Sequence, residues 1–164
     1  MGFFSEGEWK YGKKDCKGKD KNRNGEIYEG EFRNDPRHGK GTMKTYDGEV
    51  YEGDWENGKK CDKGKTVFPN GDSYEGDYRD NLGNGRGIIK WINGNEYDGE
   101  IKDDLMDGKG IFKYINGEIW EGEFVKDVKN GKGIIKYKIG AIYDGEWKDG
   151  TRHGKGIYKN DGDI

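Results

Sequence analysis

The chain repeats itself every 23 residues. Blocks begin at Ser5, Tyr28, Tyr51, Tyr74, Tyr97, Trp120 and Tyr143, with no insertion, and the last block is one residue short. A period of this length marks small supersecondary units stacked in a row, each too small to bury a core alone. The organisation that follows is an N-terminal tip (1–4), a degenerate first repeat (5–27) and six regular repeats (28–164), the last of them short and a candidate truncation.

Each block opens with aromatic, acid, glycine, acid, aromatic, as in Tyr28-Glu29-Gly30-Glu31-Phe32 and Tyr51-Glu52-Gly53-Asp54-Trp55. Alternation of period two is the mark of a half-buried strand, with rings on one face and carboxylates on the other. A polar stretch such as 34–40 then reads as the longer turn of a hairpin. A second strand follows, at 87–91, 110–114 and 133–137, and ends in a tight Asn-Gly turn at Asn70-Gly71, Asn93-Gly94 and Asn116-Gly117. Asn-Gly between alternating segments is the strongest short-range hairpin signal. One repeat is therefore one antiparallel hairpin. With no helical periodicity anywhere, the expected fold is all-β: an elongated, single-layer, twisted antiparallel meander of 23-residue β-hairpin repeats.

Glycine recurs at the third and fourteenth positions of every block as well as at the turn. A register that explains the strand glycines sets the fifth-position ring (Trp55) across from the fourteenth-position glycine (Gly64), with Gly53 facing a bulky sixteenth-position side chain. Rings would then lie flat over bare backbone, in place of a second layer. The same register sets the acids Glu75, Asp98 and Glu121 opposite Lys90, Lys113 and Lys136.

These residues resemble the MORN repeat (membrane occupation and recognition nexus), whose 23-residue signature runs Y-x-G-x-[WF]-x-x-G-x-x-x-G-x-G-x-x-x-x-x-x-G. The likeness covers residues 5 to 164. Ser5 replaces the opening aromatic of the first block, residues 19–24 lack the apolar side chains of a second strand, and Ile101 replaces the fifth-position ring of the fifth block. The resemblance implies an elongated, twisted antiparallel sheet. It also implies a setting: such proteins serve cytoskeletal assemblies, including radial-spoke heads of cilia and cortical structures of protozoan parasites. Others occur at membrane junctions and beside lipid-kinase domains.

Composition alone would mislead. Leu, Ile, Val and Phe number 26 of 164 residues, a proportion at which highly charged chains tend to stay disordered. The net charge is only −3, however, and the aromatics recur at fixed positions, which disorder does not require. No apolar run reaches membrane-span length and no secretory signal opens the chain; Met1-Gly2 starts a myristoylation pattern that Glu6 breaks. Cys16 and Cys61 occupy non-equivalent positions, which argues against a disulfide and for a reducing compartment.

Enzymatic constellations are missing from the sequence. His38 and His153 fall at the same block position five repeats apart, too far to share a metal or a catalytic site. Neither cysteine has a CxxC partner, and the Gly-Lys-Gly triplets lack the rest of a phosphate loop. Acid pairs such as Glu29 and Glu31 recur in every block, as a solvated sheet face would. A pI near 5.6 opposes a nucleic-acid footprint. The reading is a non-enzymatic chain with no metal, no cofactor, no small-molecule substrate and no nucleic-acid partner.

Two features point to partners. The aromatic stripe of Trp9, Tyr28, Phe32, Tyr51, Trp55, Tyr74, Tyr78, Tyr97, Trp120, Phe124, Tyr143 and Trp147 would, on a single layer, leave ring surface open. That makes it a candidate groove for a helix or an extended segment of a protein partner. Positions six to thirteen of the blocks carry +10 in sum, against −13 for everything else. Their cations Lys13, Lys14, Arg37, Lys40, Lys59, Lys60, Lys63, Lys129, Lys132, Arg152 and Lys155 would line one basic edge. The alternative function is thus a membrane-targeting module that binds anionic phospholipids through that edge, as part of a longer protein. The chain stops at Asp163-Ile164 where another block would begin, so either it continues or the bare edge pairs with a second copy. The expected setting is cytoplasmic, associated with the cytoskeleton or a cilium, or else peripheral to a membrane.

Overall fold

The computed structural model describes residues 4–160. Its strands are β1 (Phe4–Lys10), β2 (Lys13–Lys21), β3 (Ile27–Phe32), β4 (Arg37–Lys44), β5 (Val50–Glu56), β6 (Lys59–Val67) and β7 (Ser73–Arg79), then β8 (Leu82–Lys90), β9 (Glu96–Lys102), β10 (Leu105–Lys113), β11 (Ile119–Val125), β12 (Val128–Lys136), β13 (Ile142–Lys148) and β14 (Thr151–Lys159). They form one open antiparallel sheet in which spatial order equals sequence order, with no helix among the described residues. The expected all-β meander of hairpin repeats is therefore the fold. The chain divides into two compact units, one up to Leu82 and one from Gly83. The first block, despite its departures, forms a hairpin paired from Phe4↔Lys21 to Lys10↔Lys13, with β1 exposed along its length. Met1, Gly2, Asp163 and Ile164, on which the lipidation and edge-pairing expectations turn, lie outside the described residues.

The two kinds of turn are the reverse of what the sequence suggests. The stretch that reads as a long loop closes in two residues: Asn57-Gly58, Asp80-Asn81, Asp103-Asp104 and Lys126-Asp127 each have positive φ at both positions, the type I′ pattern that matches strand twist. The second strand starts immediately afterwards, so polar residues read as loop belong to β4, β6, β8, β10, β12 and β14. At Asn70-Gly71, by contrast, the loop spans three residues. Phe68 N–H donates to Asp72 O, Gly71 N–H donates to Phe68 O, and only the glycine has positive φ.

Early entry into the second strand is absorbed by a bulge, which also corrects the register. In β5–β6, Tyr51 faces Thr66, Glu52 faces Lys65 and Gly53 faces Gly64; past the shift Asp54 faces Cys61 and Trp55 faces Lys60. Asp62 and Lys63 are the inserted residues. The bulge position takes positive φ in every repeat, at Cys16, Gly39, Asp62, Gly85, Gly108, Gly131 and Gly154. Trp55 therefore lies opposite Gly39 and Lys60, not Gly64. Nor do the acids face the lysines named above. Asp98 faces Ile88 and Ile111, Glu121 faces Ile111 and Ile134, and Glu75 faces Lys65. Lys90 and Lys113 share Glu96 instead, at 3.5 and 3.0 Å, and Lys136 faces Ile119 and Ile142.

Glycine thus faces glycine in strand after strand, from Gly7 to Gly76 in the first unit and from Gly87 to Gly156 in the second. The block-opening tyrosine lies across this lane. A Cβ at Gly64 would come within 2.5 Å of the Tyr51 ring, and one at Gly53 would meet Gly64 Cα at 2.6 Å. A ring does lie flat over backbone, but it is the block-opening ring and not the fifth-position one that the sequence suggests, and it covers two facing glycines.

Successive repeats are also fastened through their turns. The aspartate or asparagine at the second turn position accepts the N–H of the previous repeat's tenth residue: Asp35 from Lys14 at 2.8 Å, Asn81 from Lys60 at 2.9 Å, Asp127 from Met106 at 2.8 Å. Its own N–H donates back to that residue's carbonyl, at 2.9, 3.1 and 2.9 Å. This two-point clamp fixes where the next hairpin begins.

The two glycine roles separate in a denaturation series. Gly53→Ala forces backbone apart and should cost on the order of 3 kcal/mol. Gly58→Ala has nothing within 4 Å and should cost only about 1 kcal/mol, for its positive φ. Equal losses in urea midpoints would show that the lane tolerates a methyl group.

Candidate functional site

The aromatic face is built from pairs of rings. Where both positions are aromatic, a block-opening ring meets the fifth-position ring of its own strand edge-on, and then the fifth-position ring of the next repeat. In the first unit Tyr28 meets Phe32 at 5.0 Å and Trp55 at 5.2 Å, and Tyr51 meets Trp55 and Tyr78, each at 5.1 Å. In the second, Tyr97 meets Phe124 at 5.2 Å and Trp120 meets Trp147 at 4.6 Å. Near-perpendicular contacts at such distances are the favoured aromatic geometry. The tyrosine hydroxyls donate to the backbone carbonyl three residues on, beside the bulge: Tyr28 to Glu31 and Tyr51 to Asp54 at 2.9 Å, Tyr97 to Glu100 at 2.8 Å. Trp120, which cannot reproduce this bond, leaves its indole N–H buried without a partner. Ile101, the fifth-position exception, is buried opposite a buried Met106.

Eleven of the twelve groove candidates are no more than 7 % exposed; Trp9 alone is open, at 56 %. In five of the seven blocks a cation at position ten contributes; Gly83 and Met106 take its place in the other two. The cation stands directly across from the fifth-position ring, on the aromatic face, and folds over the rings. Arg37 lies 5.1 Å from the Tyr28 ring and 5.2 Å from Trp55; Lys60 lies 4.7 Å from Tyr51; Lys129 lies 5.0 Å from Trp120; Arg152 lies 4.4 Å from Tyr143. Cation–π contact stabilises each roof while the aliphatic stem covers the ring. Lys14, over Phe32 at 4.5 Å, is itself buried and ion-paired with Asp20 at 2.9 Å; Lys60 pairs with Glu49 at 2.8 Å. The open groove of bare rings expected above is instead a roofed core.

The basic edge is corrected by the same geometry. Alternation sends Lys14, Arg37, Lys60, Lys129 and Arg152 to the aromatic face. Position thirteen goes to the opposite face, where Lys40 pairs with Asp54 at 2.7 Å and Lys63 with Asp77 at 2.5 Å. Lys132 there faces Glu146, and Lys155 N–H donates to the Glu146 carboxylate at 3.4 Å. Lys59 pairs with Asp80 at 2.7 Å, and Lys13 sits opposite Lys10. The eleven cations form no single stripe.

Accessible apolar surface lies instead at the three-residue-turn rim of the second unit, which sequence reasoning left unassigned. Half-buried Trp91 stacks on Phe112 at 5.1 Å and Phe112 on Tyr114 at 4.5 Å, while Ile92, Ile115 and Ile139 are more than 70 % exposed. Lys129 reaches Tyr114 at 5.0 Å, joining this rim to the roofed core. The signal was present as the aromatic that follows the second strand at Phe68, Trp91, Tyr114 and Tyr137, two residues beyond a core-facing position.

Among the described residues no group of three His, Cys, Asp or Glu could hold a metal ion. Both cysteines are free, and the Cys61 thiol is pushed up by burial and by Asp62, Asp54 and Glu56, the opposite of an activated thiolate. His38 lies in β4 and His153 in β14.

The family model described as MORN repeat matches residues 6–19, 28–50, 51–73, 74–96, 97–119, 120–142 and 143–164. No curated protein matches the chain. Among solved structures it is similar to the TCP domain of SAS-4 (dCPAP) of Drosophila melanogaster, in complex with a proline-rich motif of Ana2 (dSTIL), at 14% identity and a TM-score of 0.55, over 88% of this chain and 78% of that one. The wild-type TCP10 domain of Danio rerio CPAP aligns at 15% identity and a TM-score of 0.34, over 86% of this chain and 70% of that one. The CPAP G-box domain aligns at 13% and 0.37, over 88% and 86%. At these identities the likeness is one of fold.

Burial of the lane tyrosines gives the core a pH limit. Desolvation, aided by the Glu31 charge and opposed by Arg37, pushes Tyr28 up to about 12, and burial raises Tyr51 and Tyr97 as well. The folded state thus holds these phenols protonated more firmly than the unfolded chain does. Their contribution is complete below the ordinary tyrosine value near 10 and is lost as pH rises through the folded values. Phenolate absorbance should accordingly appear in two stages, exposed tyrosines first and lane tyrosines only with loss of circular dichroism near pH 12. A single stage with ellipticity retained would count against buried lane hydroxyls.

Proposed function

The chain belongs to the MORN-repeat family, and from that premise we propose that it is a non-enzymatic protein–protein interaction scaffold. Its aromatic face receives a helix or an extended segment of a partner. The observation that carries this reading is the rim of half-buried rings, Trp91, Phe112 and Tyr114, continuous through Lys129 with the roofed ladder of Trp120 and Trp147. Rings open on one side and anchored on the other are the side chains most often found at binding hot spots. The groove residues named from sequence then act as the rigid floor of the site, with Trp9 as a second open ring. The solved SAS-4 domain of similar fold is occupied by a proline-rich motif, which supports an extended segment as one form of the partner. A cytoskeletal or ciliary assembly is the setting that the family implies.

Contact with anionic phospholipids is the alternative. It has less support, because Lys40, Lys59 and Lys63 are each engaged by a carboxylate and the cations divide between two faces. The two readings respond differently to salt. Proteins retained from a ciliated-cell extract in moderate salt should be lost with a Trp91→Ala, Tyr114→Ala variant of unchanged melting temperature. Anionic liposomes should co-sediment with neither form. Liposome binding that falls with salt and ignores the ring variant would replace the scaffold reading with the membrane one.

A further inference from the structure

The face opposite the rings is expected to be polar, and in the first unit it is: position fifteen is Lys19, Thr42 and Lys65. In the second unit every block places isoleucine there, at Ile88, Ile111, Ile134 and Ile157. Cross-strand pairing sets them in one row with the second-position acids, in the order Ile88, Asp98, Ile111, Glu121, Ile134, Asp144. The lane glycines bring the backbone up behind this row, and an open trough of about 670 Å3 runs along it from Asp98 to Asp144, flanked by Arg86, Lys109 and Lys132. Ile88 is 37 % exposed, and Ile111 and Ile134 are half-buried.

Charge says what would cover it. In the neighbouring row Lys109 faces Glu123 and Lys132 faces Glu146, so that row neutralises itself. Within the isoleucine row Asp98 is engaged by Arg86 at 3.2 Å, while Glu121 and Asp144 make no ion pair among the described residues. The trough therefore alternates an aliphatic contact with a carboxylate. Isoleucines recur on every second strand, about 10 Å apart, close to the ~10.5 Å that seven residues of α-helix span.

We propose that the reverse face of the second unit docks a basic amphipathic helix, with aliphatic side chains every seventh residue seated on Ile88, Ile111 and Ile134. Lysines or arginines in the intervening turns meet Glu121 and Asp144. This surface is separate from the aromatic face and stands whether or not that face binds a partner. Only the second unit has it, because lysine or threonine at position fifteen removes both the aliphatic contact and the charge pattern.

The proposal is tested on the full chain with two synthetic 22-residue helices, leucine at every seventh position and either lysine or glutamate beside it. By fluorescence anisotropy the lysine helix should bind with a dissociation constant on the order of 10 µM and the glutamate helix at least about tenfold more weakly. Glu121→Lys with Asp144→Lys, and separately Ile111→Lys with Ile134→Lys, should each weaken the lysine helix about tenfold or more, with melting temperatures unchanged. Isoleucine methyl resonances of the unaltered chain should shift at Ile111 and Ile134, a readout that requires no variant. Absence of binding, equal binding of both helices, or binding that shifts only aromatic-face resonances would overturn it.

Discussion

Everything in this fold rests on a ring lying flat against a strip of backbone with no side chains. A single sheet has no partner layer to exclude water from its inner face, and its aliphatic content is too low to build one. Facing glycines solve this locally. Where Gly53 meets Gly64, the Tyr51 ring drops to contact distance with both strands, and its hydroxyl reaches the Asp54 carbonyl beside the bulge. The ring then offers its edge to the fifth-position rings of its own and the next repeat. Glycine's cost in a strand, roughly 0.5–1 kcal/mol relative to alanine, is offset by burying a ring that could otherwise be covered on one side only.

The bulge ties this arrangement to the charges. Two inserted residues per hairpin bring position ten directly across from position five, so the cation lands beside the ring it covers. Without the bulge the cation would keep its face but sit two residues out of step, across from position seven and away from that ring. Glu31, Glu100, Glu123 and Glu146 lie against the bulge glycines, where a Cβ would strike them at about 2 Å. Fourth-position acids are thus fitted to the bulge, which explains their recurrence better than solvation of a sheet face does. Charges that look like surface decoration in the sequence hold a core together from above and shape its backbone from below.

How far the sequence discloses this can be traced residue by residue. The period, the strand alternation from Tyr28 to Phe32 and the lane glycines are legible because each is a strong local preference repeated seven times. The bulge was not, because glycine at position twelve signals loop, turn and bulge alike; Cys16 and Asp62, which accept positive φ at that position, obscured it further. With positions six to thirteen read as loop, none of them is given a face of the sheet, which is why Lys60 read as part of a lipid edge when it covers Tyr51 and Tyr78. The turn types failed for a related reason. Asn-Gly suits a two-residue turn, but Phe68 and Asp72 already pair with each other, which leaves three residues to close the loop.

The two units use one scaffold differently, and the difference is in what each leaves unsatisfied. In the first, position ten is basic throughout and two of its cations, Lys14 and Lys60, are matched by Asp20 and Glu49, while position fifteen is polar. In the second, position ten becomes Gly83 and Met106 before returning to Lys129 and Arg152, and position fifteen becomes isoleucine. Those changes cost nothing in the lane, since Tyr97 and Trp120 stay fully buried. They do shift apolar surface outward, to the Trp91–Tyr114 rim on one face and the isoleucine row on the other. A repeat array that only spaced its ends apart would gain nothing from such surface and would bear its aggregation risk. Retaining it on both faces of the same unit is economical only where each face meets something.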